Sequence, residues 1–328
     1  MTAAGVDLAG LAGMLRASRN IAAKGDIACA AGRMGLDRAV AGVPVGDDCA
    51  AIPDGDGYVL LAIEGFMNEF VAADPWFAGW CGVMVNLSDI AAMGGRPTAV
   101  VDALWAKGDD GAAAILDGMK AASERYGVPV VGGHTNLTSD RGQLAVAVLG
   151  RASRLLTSFD ARPGDRLVAA IDLRGCYREP FSNWEAATSA PAARLRGDLE
   201  LLPLIAEKSL SRAAKDISQG GIVGTVAMLA ECSGVGAVVD VNAVPRPAGI
   251  PLDRWMSTFP SYGYLIAAAS ENVAAITELF RAREIAAADI GAITAGCVVS
   301  ITDGVSTAVV RDLDETPLLG LRPAEACT

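Results

Sequence analysis

Hydrophobic and polar positions alternate along the chain in blocks that predict helices and strands by turns. An alanine-rich opening, punctuated by Leu8, Leu11, Leu15 and Ile21, reads as helical over residues 1–41. Residues 43–52 are apolar on both sides of a Gly46-Asp47-Asp48 step, the pattern of a strand interrupted at a polar site. Asp54-Gly55-Asp56-Gly57 is a turn signal. Residues 58–63 then form a compact apolar strand that delivers Glu64 at its end. A helix is predicted over 78–94, where Val83, Leu87, Ile90 and Ala91 recur at helical spacing; Gly94, Gly95 and Pro97 stop it. A strand over 98–106 and a helix over 109–126 follow, the helix with Asp109 and Asp110 in its first turn, which suits the helix dipole. Residues 128–131 read as a short strand running into a loop, Gly132-Gly133-His134-Thr135-Asn136, and 144–149 as another strand.

The turn cluster Arg162-Pro163-Gly164-Asp165 marks a domain boundary, which divides the chain into 1–155 and 156–328. Beyond it a strand restarts over 166–171, and 185–207 is mostly helical with breaks around Pro191 and near Pro203. The polar run Lys215-Asp216-Ile217-Ser218-Gln219-Gly220-Gly221 leads into a helix of about 12 residues ending at Gly234. Strands at 237–241, 264–269, 298–301 and 305–310, with a helix at 273–283, complete the pattern, and the tail after Asp312 reads as loose. The mixture predicts two α/β or α+β domains.

Composition narrows the function classes. The 328 residues are 52% hydrophobic and 20% charged, which is globular rather than disordered, and the net charge of −11 disfavours nucleic acid and anionic membranes as partners. No signal peptide and no apolar run of about 18 residues is present, so a cytoplasmic protein is expected. Seven scattered cysteines without a Cys-x-x-Cys pair point to reduced thiols rather than a zinc or redox site. His134 is the only histidine, which excludes multi-histidine metal sites and leaves little room for a hydrolase triad.

The candidate chemistry lies where polar residues interrupt apolar elements. Asn86 and Asp89, three apart, share one helix face and offer a hard cation oxygen ligands; the same pair fits the solvated edge of a core helix. Adjacent Asp47 and Asp48 repel unless a cation or donor offsets them, or they form a turn at a strand edge. Glu64 reads as a ligand or an exposed strand end. The glycines of the 132–136 loop let amides approach an anion, as would the amides before the helix at 221; each also reads as a plain turn or cap, with Asp216 or Ser218 capping the second. His134 reads as a metal or phosphate contact or as a satisfied loop histidine. No Walker loop, dinucleotide fingerprint, kinase signature set or G-x-S-x-G elbow occurs.

In order, Gly46-Asp-Asp-Cys-Ala50, Glu64, Asn86-Leu-Ser-Asp-Ile-Ala-Ala-Met-Gly-Gly95, Gly132-Gly-His-Thr135, Asp216-Ile-Ser-Gln-Gly-Gly221 and Glu231-Cys-Ser-Gly-Val-Gly-Ala237 resemble the aminoimidazole ribonucleotide (AIR) synthase-like superfamily over about residues 44–310. That group includes thiamine-monophosphate kinase, selenophosphate synthetase and a hydrogenase maturation factor. The resemblance implies an α/β plus α+β fold of two domains, the N-terminal one pairing with a second subunit into a dimeric β-barrel. It implies ATP and Mg2+ as cofactors, with Asp47, Asp48, Glu64, Asp89 and Asp216 as metal ligands. Asn86, Gly132, Gly133, His134, Thr135 and Ser218 would contact the nucleotide. Glu64 stands where the family usually has aspartate, His134 where the kinase has aspartate, and Gln219-Gly220 where the kinase has Asp-Gly. The implied function is transfer of the γ-phosphoryl group to a small-molecule acceptor, closest to thiamine-monophosphate kinase. The alternatives are ATP-dependent activation of an amide or carbonyl oxygen and a non-catalytic nucleotide-binding dimer. No single residue is assigned the catalytic role.

Overall fold

The structure is a computed structural model that describes residues 6–36 and 44–321. The chain opens with helices α1 (Leu8–Arg16), α2 (Arg19–Ala22) and α3 (Asp26–Met34). Five strands follow, β1 (Ala50–Asp54), β2 (Gly57–Phe66), β3 (Arg96–Lys107), β4 (Val130–Asn136) and β5 (Thr138–Ala152). Between them lie α4 (Asn68–Ala73), α5 (Pro75–Ala92) and α6 (Gly108–Tyr126). Next come β6 (Arg166–Ile171), β7 (Cys176–Tyr177), β8 (Asn183–Glu185), α7 (Ala192–Leu199) and α8 (Leu201–Glu207). The chain continues through β9 (Ala213–Asp216), α9 (Gly221–Ser233), β10 (Gly236–Asp240), α10 (Leu252–Met256), β11 (Phe259–Pro260) and β12 (Gly263–Ala268). The last elements are α11 (Val273–Arg281), β13 (Ala286–Thr294), β14 (Val298–Thr302) and β15 (Thr307–Asp312).

These elements form two compact units. One holds Asp48–Leu155 and Ala187–Lys208; the other holds the described residues up to Asp47, Leu156–Ala186 and those from Ser209 on. In the first unit the sheet order is β1-β2-β5-β3-β4, antiparallel except for the parallel pair β3–β4. Leu60, Val100, Leu104, Leu144, Val146 and Val148 fill one face of this sheet beneath α5 and α6. Asp74 caps α5 by accepting from the Phe77 amide at 3.2 Å, and Pro75 stands at its first turn, where a missing N–H costs nothing. The two helices touch backbone to backbone: a Cβ on Gly79 would meet the Ile115 carbonyl oxygen at 2.0 Å, and one on Gly118 the Trp76 carbonyl oxygen at 1.9 Å. Residues 187–208 join this unit through Arg96, whose guanidinium pairs with Glu200 at 2.7 Å and Glu207 at 2.5 Å.

In the other unit a seven-stranded sheet runs β15-β14-β10-β13-β6-β12-β9, and a small sheet runs β11-β8-β7. Its core gathers Leu11 and Leu15 of α1, the buried face of α9, and Trp184 and Trp255, whose rings meet edge to face at 5.3 Å. The described part of the tail after Asp312, residues 313–321, is packed, not loose. Leu313, Leu318 and Leu319 are buried, and the Glu231 carboxylate accepts the amides of Leu318, Leu319 and Gly320 at 2.7–2.9 Å. Leu321 lies where Gly46 would carry a Cβ, 2.1 Å from that point, and Gly46 has φ +114°, so both space and conformation require glycine there.

Other expectations are corrected. Residues 45–49 are bent rather than extended, so the strand begins only at Ala50; residue 43 lies outside the described residues. Gly35 ends α3 in the left-handed region at φ 65°; residues 37–41 of the expected helical opening lie outside the described residues. Glu64 lies inside β2, which runs on to Phe66. The bulged strand β13 was not legible, because its alanines and Gly291 carry little strand signal. Cys29, Cys49, Cys81, Cys176 and Cys232 are thiols, as expected, whereas Cys297 is disulfide-bonded, since spacing along a chain does not report proximity. Gly118→Ala should destabilise the protein by about 2 kcal/mol, because overpacking against backbone outweighs roughly 1 kcal/mol of helix propensity. Urea denaturation of the variant beside wild type measures this.

Candidate functional site

Helix α5 is buried on nearly every side, so the two readings of its polar pair separate. Val83, Leu87, Ile90 and Ala91 are 0% exposed, as expected, but Asn86 is also 0% and Asp89 5% exposed. The pair is not a solvated edge. Asn86 lies one turn beyond Gly82, where α5 crosses the sheet so closely that a Cβ would meet Val146 at 2.8 Å. Its Nδ2 donates to the Gly82 carbonyl at 2.8 Å, and its enclosed Oδ1 accepts no hydrogen bond. A buried acceptor left in this state costs about 1–3 kcal/mol, which marks the position as built for something other than stability.

Strand pairing lines up a second group. Glu64 of β2 and Asp102 of β3 both pair with Val146 of β5, on either side of it, and Asp102 pairs in turn with Gly133 of β4. Directly opposed residues share a face, so Glu64, Asp102 and Gly133 stand on the helix-covered side, with the two carboxylate-bearing Cα atoms about 10 Å apart. Asp102 was not singled out from sequence; the available signal was a carboxylate in the middle of a strand-like apolar run. Its Oδ2 is enclosed and accepts no hydrogen bond, and its Oδ1 lies 2.3 Å from the point where Gly133 would carry a Cβ. Burial pushes the Asp102 carboxyl above the ordinary aspartate range, beyond the opposing effect of its own backbone hydrogen bond.

The expected loop at 132–136 is strand β4 itself, paired in register with Val101–Trp105 of β3. The glycines read as turn residues from sequence; here the missing side chain of Gly133 makes room for the Asp102 carboxylate, whereas a Cβ on Gly132 would meet nothing within 4 Å. Alternation along β4 divides the expected nucleotide contacts. Gly133 and Thr135 share the face of Asp102, whereas His134 faces the other way and its ring lies 6.0 Å from that of Trp105. Asp48 stands in the bend before β1, in the same unit.

Asp47, Asp216 and Ser218 belong to the other unit. Both oxygens of Asp47 are engaged by Ser158, whose amide and hydroxyl each donate at 2.6 Å, and the Lys215 ammonium lies 3.9 Å from Oδ1. Ser158 and Lys215 were not anticipated as partners of Asp47, since nothing in sequence joins positions so far apart. Asp216 is buried in β9, opposite Tyr264. Neither Asp216 nor Ser218 caps α9: Gly220 holds that position without a side-chain bond, and the Ser218 hydroxyl is enclosed without one. Among the described residues, no three His, Cys, Asp or Glu side chains converge as a metal cage. What does suit a magnesium ion is the enclosed Asn86 Oδ1 that accepts no hydrogen bond, an oxygen donor three residues from the Asp89 carboxylate on the same helix.

The fold and these motifs define an AIR synthase-like protein of two mixed α/β units. Residues 46–152 match the AIR synthase related protein N-terminal domain family, and 182–304 the corresponding C-terminal domain family; the chain belongs to this family. It is similar to an uncharacterized protein of Synechocystis sp., 47% identical across 88% of this chain and 91% of that one. It is also similar to thiamine-monophosphate kinase of Synechococcus elongatus, 28% identical across 69% of this chain and 72% of the kinase. Among solved structures, Thermotoga maritima PurL complexed with ATP superposes with a TM-score of 0.70 at 21% identity, covering 84% of this chain. The chain spans about half of that PurL, 47% of its length. The structure named AaThiL, complexed with AMPPCP and TMP, superposes with a TM-score of 0.65 at 22% identity, covering 84% of this chain and 92% of that one. No helix of the described residues is long and apolar enough to cross a membrane.

The raised Asp102 pKa has a definite sign. The folded chain holds this proton more tightly than the unfolded chain. The associated stability is therefore fully present below the unfolded carboxylate pKa and is lost as pH rises through the folded one. Asp102→Asn, neutral throughout, should gain in Tm relative to wild type as pH is raised from about 4 to about 8. Thermal denaturation across that range, read as the difference between the two proteins, checks the direction.

Proposed function

We propose that this chain is a cytoplasmic, magnesium-dependent, ATP-using enzyme that transfers the γ-phosphoryl group to a small-molecule acceptor, in the manner of thiamine-monophosphate kinase. The observation that carries the reading is the Asn86–Asp89 pair, buried on a rigid helix with an unsatisfied oxygen. It is supported by the kinase among the relatives and by the nucleotide-bound proteins that share the fold. Asp48, Glu64 and Asp89, with the Asn86 carboxamide, would hold magnesium; Gly133 and Thr135, exposed on β4, would contact phosphate. When bound, the ion neutralises charge on the transferring phosphoryl group. The protein's own contribution is positioning: α5 is fixed by its burial, so its donors do not reorganise as charge develops.

A second reading, activation of an amide or carbonyl oxygen, is favoured by the PurL relatives, one of which, from Methanosarcina mazei, is 28% identical over 227 residues. The fate of phosphate separates the two. Label from the γ-position should appear in an organic product for a kinase, and wholly as inorganic phosphate for oxygen activation.

A homodimer is part of the proposal. The sheet face turned away from α5 and α6 leaves Leu61, Ile63, Val101 and Leu149 exposed, Ile63 at 68%, and a second copy of the same face is the occupant that the family resemblance implies. Ile63→Glu should weaken dimerisation at least about 100-fold while leaving the circular dichroism spectrum unchanged. Light scattering across a dilution series reads this; a monomeric wild type would remove the dimer from the proposal.

Calorimetry with a non-hydrolysable ATP analogue tests the site. Binding by wild type should require magnesium, and Asp89→Asn should lose at least about tenfold in affinity. Equal binding by both proteins, or none by wild type, would withdraw the assignment.

A further inference from the structure

Asp47 and Asp48 are adjacent in sequence and fall in different compact units. The Asp47 side chain is 2% exposed and that of Lys215 6%. Ser158 clasps Asp47 with its amide on one oxygen and its hydroxyl on the other, both at 2.6 Å. The Lys215 ammonium donates to the same hydroxyl at 3.4 Å and lies 3.9 Å from the carboxylate. Ser158 is itself fixed: it is 0% exposed, its carbonyl accepts from the Ser233 hydroxyl at 2.7 Å, and that hydroxyl accepts the Ala161 amide at 3.0 Å. The whole network lies within one unit.

We infer that Lys215 is the permanent counter-ion of Asp47, and that Asp47 is a partner inside its own unit rather than a metal ligand. The charge that a metal ion would bring to this carboxylate is already supplied from inside the protein. A magnesium ion bonded to Asp47 would stand beside a buried ammonium, where low polarisability magnifies like-charge repulsion. It would also have to displace donors that already occupy both oxygens. Within the Gly-Asp-Asp step the magnesium role proposed above then rests with Asp48 and not with Asp47. Two acids that look equivalent in sequence thus have different roles.

The first test needs neither nucleotide nor metal and so stands apart from the proposed function. Asp47→Asn, Lys215→Met and the double variant are unfolded thermally in the presence of a chelator. Each single change should lower Tm by about 5 °C or more, and the double variant should lose clearly less than the sum, because it buries no uncompensated charge. Additive losses would overturn the pairing. Where Lys215→Met fails to fold, the double variant should fold, and its failure would overturn the pairing equally.

The second test rests on the nucleotide reading. Manganese is titrated in the presence of a non-hydrolysable ATP analogue and followed by electron paramagnetic resonance. Asp47→Asn should bind within about threefold of wild type and Asp48→Asn at least about tenfold more weakly. Equal losses would show that Asp47 is a metal ligand after all. If wild type binds no manganese with nucleotide, the functional reading fails, and the thermal cycle alone decides the pairing.

Discussion

A helix with no wet face has to justify every polar atom it carries. Helix α5 is enclosed by the sheet on one side and α6 on another, and its contact with α6 is so close that glycine is required on both helices. Phe77, Trp80, Val83, Leu87 and Ile90, all at most 1% exposed, contribute about 1.5–3 kcal/mol each to holding it. Against that background Asn86 and Asp89 are costly. The protein tolerates them because apolar packing on every other side holds the helix rigidly, and that rigidity is what a charge-neutralising site needs. Stability and function are drawn from the same element, and the first supports the second.

Local geometry sorts residues that sequence proximity groups together. On β4 the pleat sends Gly133 and Thr135 to one side and His134 to the other, beside Trp105. The chain's only histidine therefore belongs with the open apolar face and not with the carboxylates. At the Gly-Asp-Asp step one aspartate turns into a serine–lysine clasp while its neighbour stays in the other unit. On β4, a run of polar residues that looks like one site is two.

Much of the architecture was legible because hydrophobic period is a strong signal where elements are long. The helices at 75–92 and 108–126 and the strands at 57–66 and 166–171 stand close to where the pattern puts them. Three kinds of feature were not legible. Strand β4 is full of glycine, and glycine in a strand looks like a turn until the neighbour that requires it is known. Strand β13 lacks apolar alternation because it opens on three alanines and carries Gly291 at its bulge. The partners of Asp47 lie 111 and more residues away, beyond any local pattern. The candidate site was readable as a list of acids, but not as an arrangement. Asp102 was missing from that list because a single carboxylate in an apolar strand has no motif to announce it.

The Glu231 carboxylate receives its three amide donors from residues 87 to 89 positions further along the chain. Helix α1, near the beginning, rests on β15, the last strand. Both closures pair early residues with late ones, so during synthesis this unit cannot reach its final packing until residues past 320 have emerged. Until then Glu231 and the apolar face of α1 have no home, and they are what a nascent-chain chaperone would meet. Most of the five-stranded unit lies in one uninterrupted stretch, Asp48–Leu155, and faces no such delay.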